Sequence, residues 1–136
     1  MKVESRNCYF LFFESRKAEV EKMEKDLEQR TKRFALAAIK LVGSLTRSAA
    51  SDVLGRQLLR SATSIGANYR EANRAVSRPD FTNKIGTIQK EAAETQYWLE
   101  LLIESGTSKH SNAADLHKES TELLAIFTTI GRKLKE

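Results

Sequence analysis

Five arginines, Arg56, Arg60, Arg70, Arg74 and Arg78, recur at helical spacing in one stretch of the chain. Taken at about 100° per residue they fall within a sector roughly 80° wide. A rise of 1.5 Å per residue makes the row about 33 Å long. The guanidinium is a planar fork that donates paired hydrogen bonds, so a row of them suits the phosphate backbone of RNA or DNA. A solvated helix face, or a face paired with acids of a neighbouring subunit, has the same pattern. Glu91 and Glu94 are candidate acid–base carboxylates, yet no nucleophile, metal-ligand set or glycine-rich phosphate loop accompanies them. His110 and His117 lack the Glu-x-x-His spacing of a di-iron bundle. Neither has an arginine four to six residues before it, the pair that HEPN-type ribonuclease bundles use. These residues predict no enzyme, no metal and no cofactor.

The elements that must position these groups are helical. Glycine is scarce, Pro79 is the single proline, and Ala, Leu, Lys, Arg and Glu abound, which is a helical rather than a sheet composition. A chain of 136 residues suits one domain whose core needs neither disulfide nor metal. Cys8 is the only cysteine, which excludes an internal disulfide and a cysteine-based zinc site and fits a reducing cytoplasm. The apolar run Cys8-Tyr9-Phe10-Leu11-Phe12-Phe13 is far short of the roughly 20 residues of a membrane helix, so neither export nor membrane insertion is expected. The net charge of +5 is uneven: 6 basic against 3 acidic residues over 23–47, 5 against 2 over 48–78, and 2 against 5 over 79–106. Such asymmetry serves polyanion binding or the pairing of unlike faces between subunits.

Apolar residues recur at alternating spacings of four and three, the pattern of helices packed at shallow angles around a common seam. The first seam runs Leu27, Thr31, Phe34, Ala38, Leu41, Leu45, and the third Phe81, Ile85, Ile88, Ala92, Thr95, Leu99, Leu102. The fourth runs Leu116, Ser120, Leu123, Phe127, Ile130, Leu134; the second, less strictly, runs Leu54, Leu58, Ala62, Ile65, Tyr69, Ala72, Val76. Ser48 or Ser51 can cap helix two, and Ser77-Arg78-Pro79-Asp80 reads as a capping box with Pro79 in the first turn. Gly106 suits a left-handed C-cap, after which Ser111 or Asn112 can restart the chain. Short connections of this kind make consecutive helices antiparallel. The expectation is an all-α, up-down-up-down four-helix bundle over residues 23–136, with helices at about 24–46, 50–76, 79–105 and 112–135. Residues 1–22 either extend helix one backwards through Val20 or form a loosely attached arm, with Met23 a plausible natural start.

The stretch Gln57-Leu58-Leu59-Arg60-Ser61-Ala62-Thr63-Ser64-Ile65-Gly66-Ala67-Asn68-Tyr69-Arg70-Glu71-Ala72 resembles a known family, the four-helix-bundle proteins encoded within intervening sequences of bacterial 23S ribosomal RNA genes. Lys90-Glu91-Ala92-Ala93-Glu94-Thr95-Gln96-Tyr97-Trp98-Leu99 continues the match at that family's spacing, and with the flanking helices the resemblance covers about residues 24–135. It implies a homopentameric ring of bundles. Related accessory proteins of diversity-generating retroelements form similar basic rings that bind nucleic acid and a reverse transcriptase. That relation adds a nucleic-acid-processing protein to the expected partners.

The motif also makes sense as packing. Ser61, Ala62, Gly66 and Ala67 put small side chains along helix two and let another helix approach, at a helix-propensity cost of up to about 1 kcal/mol for Gly66. Asn68 and Glu71, with Glu91, Glu94 and Arg60, form a candidate polar cluster that serves packing and register rather than catalysis. Tyr97, Trp98 and Leu101 give helix three a second apolar side, the mark of an oligomer interface, unless Trp98 only caps the bundle edge. Tyr69 points to the core, so no stacking aromatic accompanies the arginines, and binding should be salt-dependent and indifferent to sequence. The expected function is a cytoplasmic, oligomeric scaffold that holds nucleic acid, RNA first, on a basic helix face. The alternative is a scaffold for proteins alone, its arginines meeting acidic partners.

Overall fold

The computed structural model describes residues 17–109 and 111–136. They form four α-helices and no strand: α1 (Lys17–Gly43), α2 (Ala49–Ala72), α3 (Arg78–Glu104) and α4 (Ser111–Leu134). The ends follow from local chemistry. At the start of α2 the Ser51 N–H donates to Ser48 Oγ while the Ser48 N–H donates to Ser51 Oγ, so two orphan donors are satisfied reciprocally. At the start of α3 the Asp80 N–H donates to Ser77 Oγ, with Pro79 in the first turn where a missing N–H is harmless. Asp80 itself accepts from the Val76 N–H. Gly106, at φ +76°, turns the chain out of α3, and the Ser108 N–H closes back on the Leu102 carbonyl.

The seams carry the core. Every third-seam and fourth-seam position is buried, from Phe81 to Leu102 and from Leu116 to Leu134. Tyr69 packs edge-on against Phe127 with ring centroids 5.3 Å apart. The hydroxyls of Thr31, Ser61, Thr95 and Ser120 are fully buried too. Ser61 and Thr95 hydrogen-bond to each other at 2.8 Å, and Thr31 and Ser120 turn back to carbonyls of their own helices, which removes the desolvation penalty of a bare hydroxyl. A Cβ at Gly66 would stand 3.1 Å from Thr31 Oγ1, so the missing side chain is what lets α1 lie so close to α2.

Consecutive helices meet through ordered pairs. Between α1 and α2 these are Glu28 with Asn73, Thr31 with Gly66, and Val42 with Gly55. Between α2 and α3 they are Ser61 with Thr95 and Glu71 with Lys84. Gln89 with Phe127, Gln96 with Thr121 and Glu100 with His117 join α3 to α4. The α1–α4 edge is the least packed of the four.

Three expected boundaries shift. α2 stops at Ala72 rather than about residue 76, because Asn73 turns inward and donates from Nδ2 to Glu28 Oε2 at 2.9 Å. Val76 therefore leaves the seam and is 78% exposed, while Ala75 takes the buried place. α1 begins at Lys17, so residues 17–22 are continuous with the first helix, and it ends at Gly43, leaving Leu45 in the turn packed against the core. The apolar run at 8–13 and His110 lie outside the described residues.

Candidate functional site

The five arginines do not form one stripe. Arg56, Arg60 and Arg70 ride on α2, Arg74 sits in the turn after it, and Arg78 is the first residue of α3. The early stop at Asn73 breaks the row, since only a helix continuing to residue 78 would have kept the five in one sector. Arg78 donates from a guanidinium nitrogen to the Leu134 carbonyl at 2.8 Å, so it closes the end of α4. Arg60 is neutralised: it pairs with Glu91 at 3.3 Å, closely with Glu94, and with Gln57 Oε1 at 3.2 Å. The hydrogen bond that Arg60 donates to Glu94 is the main cause that lifts the Arg60 pKa above its ordinary value.

Arg56, Arg70 and Arg74 remain exposed and without an ion-pair partner among the described residues. Lys32 of α1, which the sequence pattern does not single out, lies with Arg70 along a shallow groove of about 260 Å³ between α1 and α2. Its floor is Thr31, Ala35, Thr63, Gly66 and Ala67, all small, with Glu28 at the rim held by Asn73. Lys32 is invisible as a site residue in the sequence because only the α1–α2 pairing brings it to Arg70. The charge is segregated by layer. Over residues 17–76 there are 12 basic against 7 acidic residues, a net +5, and over 77–136 there are 8 against 9, a net −1.

The expected polar cluster divides in two. Arg60 does meet Glu91 and Glu94 across the α2–α3 seam. Glu71 instead pairs with Lys84 at 2.7 Å, and Asn68 donates from Nδ2 to the Ser64 carbonyl of its own helix at 2.9 Å. Arg60 thus pairs with both candidate acid–base carboxylates of α3. Tyr97 is 54% exposed, and its ring centroid lies 5.2 Å from that of Trp98, whose Nε1 is buried without a hydrogen-bond partner among the described residues. Leu101 is half-buried beside them in sequence, one helical turn on. Among the described residues no group of three or more His, Cys, Asp or Glu side chains is gathered to hold a metal, and no helix is long and apolar enough to cross a membrane.

Comparison with known proteins agrees with this helical frame. A family model described as 23S rRNA-intervening sequence protein matches residues 23–129. A solved structure of a protein of unknown function from the S23 ribosomal protein family of Bacteroides thetaiotaomicron superposes with a TM-score of 0.73 at 38% identity, covering 80% of this chain and 97% of that one. Among curated proteins nothing matches.

Proposed function

The chain belongs to the 23S rRNA-intervening sequence protein family, and from that premise we propose that it is a non-enzymatic, cytoplasmic, oligomeric scaffold that holds RNA by its phosphate backbone on the α1–α2 face. The observation that carries this reading is the set of unpaired cations, Arg56, Arg70, Arg74 and Lys32, on the layer whose net charge is +5. Arg56 and Arg70 are 14 residues apart on one helix, a span of about 21 Å. A free guanidinium gives paired charge-assisted hydrogen bonds to phosphate, whereas one already shared between two carboxylates has little left to offer. Arg60 and Arg78 are accordingly left out of the binding face.

The same reading includes an up-down-up-down antiparallel order, supported by paired residues whose numbers rise along one helix as they fall along the next. It includes self-association through Tyr97, Trp98 and Leu101 into a ring, a pentamer by the family resemblance, which would repeat the basic face and add avidity. A scaffold for proteins alone is favoured only by the exposed Tyr97 beside Trp98, a surface that self-association would also use.

Filter binding of a structured RNA at two salt concentrations tests the reading. Binding should weaken steeply with salt, and changing Arg56, Arg70 and Arg74 together to Ala should lower affinity at least about tenfold. The same triple change should flatten the salt slope by roughly 0.7–0.9 for each phosphate no longer neutralised. Arg60→Ala should bind nearly as wild type. No binding at low salt, or an equal loss with Arg60→Ala, would overturn the assignment. Light scattering that reports a monomer at micromolar concentration would remove the ring.

A further inference from the structure

The outer face is not the only built feature. On the flank of α1 that turns toward α4, the helical repeat brings Arg30, Arg33, Ala37 and Lys40, where a well-packed bundle would place large apolar residues. The result is a cleft of about 380 Å³ with Phe34, Ala37 and Leu116 among its apolar lining. Phe34 and Leu116 are core residues whose outer edges form its base, while Ala37 is exposed and simply too small to close it. That volume lies within the roughly 300–1,000 Å³ of small-molecule sites, which in bundles sit between helices.

The charges around it are unequal. Arg30 is shared between Glu119 at 2.6 Å and Glu122 at 2.8 Å, the second outside the lining, so one guanidinium answers two carboxylates. Arg33 and Lys40 are exposed and have no ion-pair partner among the described residues, and the lining as a whole sets three cations, with Arg30, against the two carboxylates of Asp115 and Glu119. An apolar base beneath a surplus positive charge is complementary to a ligand with a short hydrocarbon body and one anionic head.

We propose that the α1–α4 cleft binds an amphipathic monoanion, a carboxylate or sulfonate on a short alkyl or aryl body, with the body on Phe34, Ala37 and Leu116 and the head on Arg33 and Lys40. This site is separate from the α1–α2 face and stands or falls without it. The full chain is titrated with octanoate and with octylammonium, which share a body and differ in charge, while the NMR signals of Leu116 and Phe34 are followed. Octanoate should shift both residues and saturate, and octylammonium should bind at least about tenfold more weakly. Ala37→Leu fills the cleft from an exposed position and should cost octanoate at least about tenfold in affinity with the thermal melt retained. Arg33→Glu with Lys40→Glu leaves the apolar base intact and should reverse the preference between the two ligands. Equal binding of the two by the wild type, unchanged octanoate binding by Ala37→Leu, or no shift of Leu116 and Phe34 at millimolar octanoate would overturn the proposal.

Discussion

The α2–α3 seam and the α1–α4 edge are built to different rules. Five residues join α2 to α3, and the seam buries Leu58, Ala62 and Ile65 together with Ile88, Ala92 and Leu99, all at 0% exposure. Its ion pairs, Arg60 with Glu91 and Glu94 and Lys84 with Glu71, lie on the rim of a surface already joined by packing. The α1–α4 edge has no direct connection, touches least, and leaves clefts of about 380 and 470 Å³ between which Arg30 reaches to Glu119 and Glu122. In the first region side-chain volume does the holding and charge decorates it; in the second, charge spans a gap that volume leaves open.

Core truncation should separate the two most strongly. Leu99 is fully enclosed, so Leu99→Ala should leave a cavity that cannot collapse and cost about 4 kcal/mol in urea unfolding. Leu116 borders the open cleft, where neighbours can move in, and Leu116→Ala should cost about 2 kcal/mol. Equal costs would mean that the edge is as rigid as the seam and that the contrast is only one of shape.

The ion pairs should rank the other way. Arg30 is bidentate, 30% exposed and the main polar tie across its edge, so Arg30→Met should cost about 1 kcal/mol. Arg60 is 46% exposed over a seam that packs without it, so Arg60→Met should cost about 0.5 kcal/mol or less. Denaturation at low and high salt checks both, with the Arg30 contribution the less screened because the pair is the more enclosed. A larger cost at Arg60 would invert the proposed division of labour.

What could be read in the chain beforehand divides along the same line. The seams of α3 and α4 are legible to the residue, because their periodicity is a property of one helix and local caps at Ser77 and Gly106 bound it. The end of α2 is not, because it depends on Asn73 reaching Glu28 on another helix, 45 positions away in sequence. That non-local bond moves Arg74 and Arg78 off the helix and dissolves the stripe. Glu91 and Glu94 were legible as partners of Arg60, but the diversion of Glu71 to Lys84 needed the α2–α3 register. The α1–α4 edge left no sequence signal at all: Ala37 looks like any helix-favouring alanine until the empty space beside it is seen.

The smallest effect distinguishes the regions by proton chemistry. The hydrogen bond to Glu71, helped by its charge and that of Asp80, raises Lys84 above the ordinary 10.5, so the folded chain holds this proton more tightly than the unfolded one does. The stability that follows is fully present below the unfolded pKa and disappears as pH rises through the folded value. The difference in urea midpoint between wild type and Lys84→Met should therefore close when the pH is taken from well below 10.5 to well above it. Arg30, also raised by its hydrogen bond to Glu119, keeps its proton throughout, so the difference between wild type and Arg30→Met should persist over the same range. If both differences vanish together, high pH is unfolding the whole bundle and the two regions share one fate. If neither changes, Lys84 contributes through its methylene stem rather than its charge, and the α2–α3 seam is held by packing even at its rim.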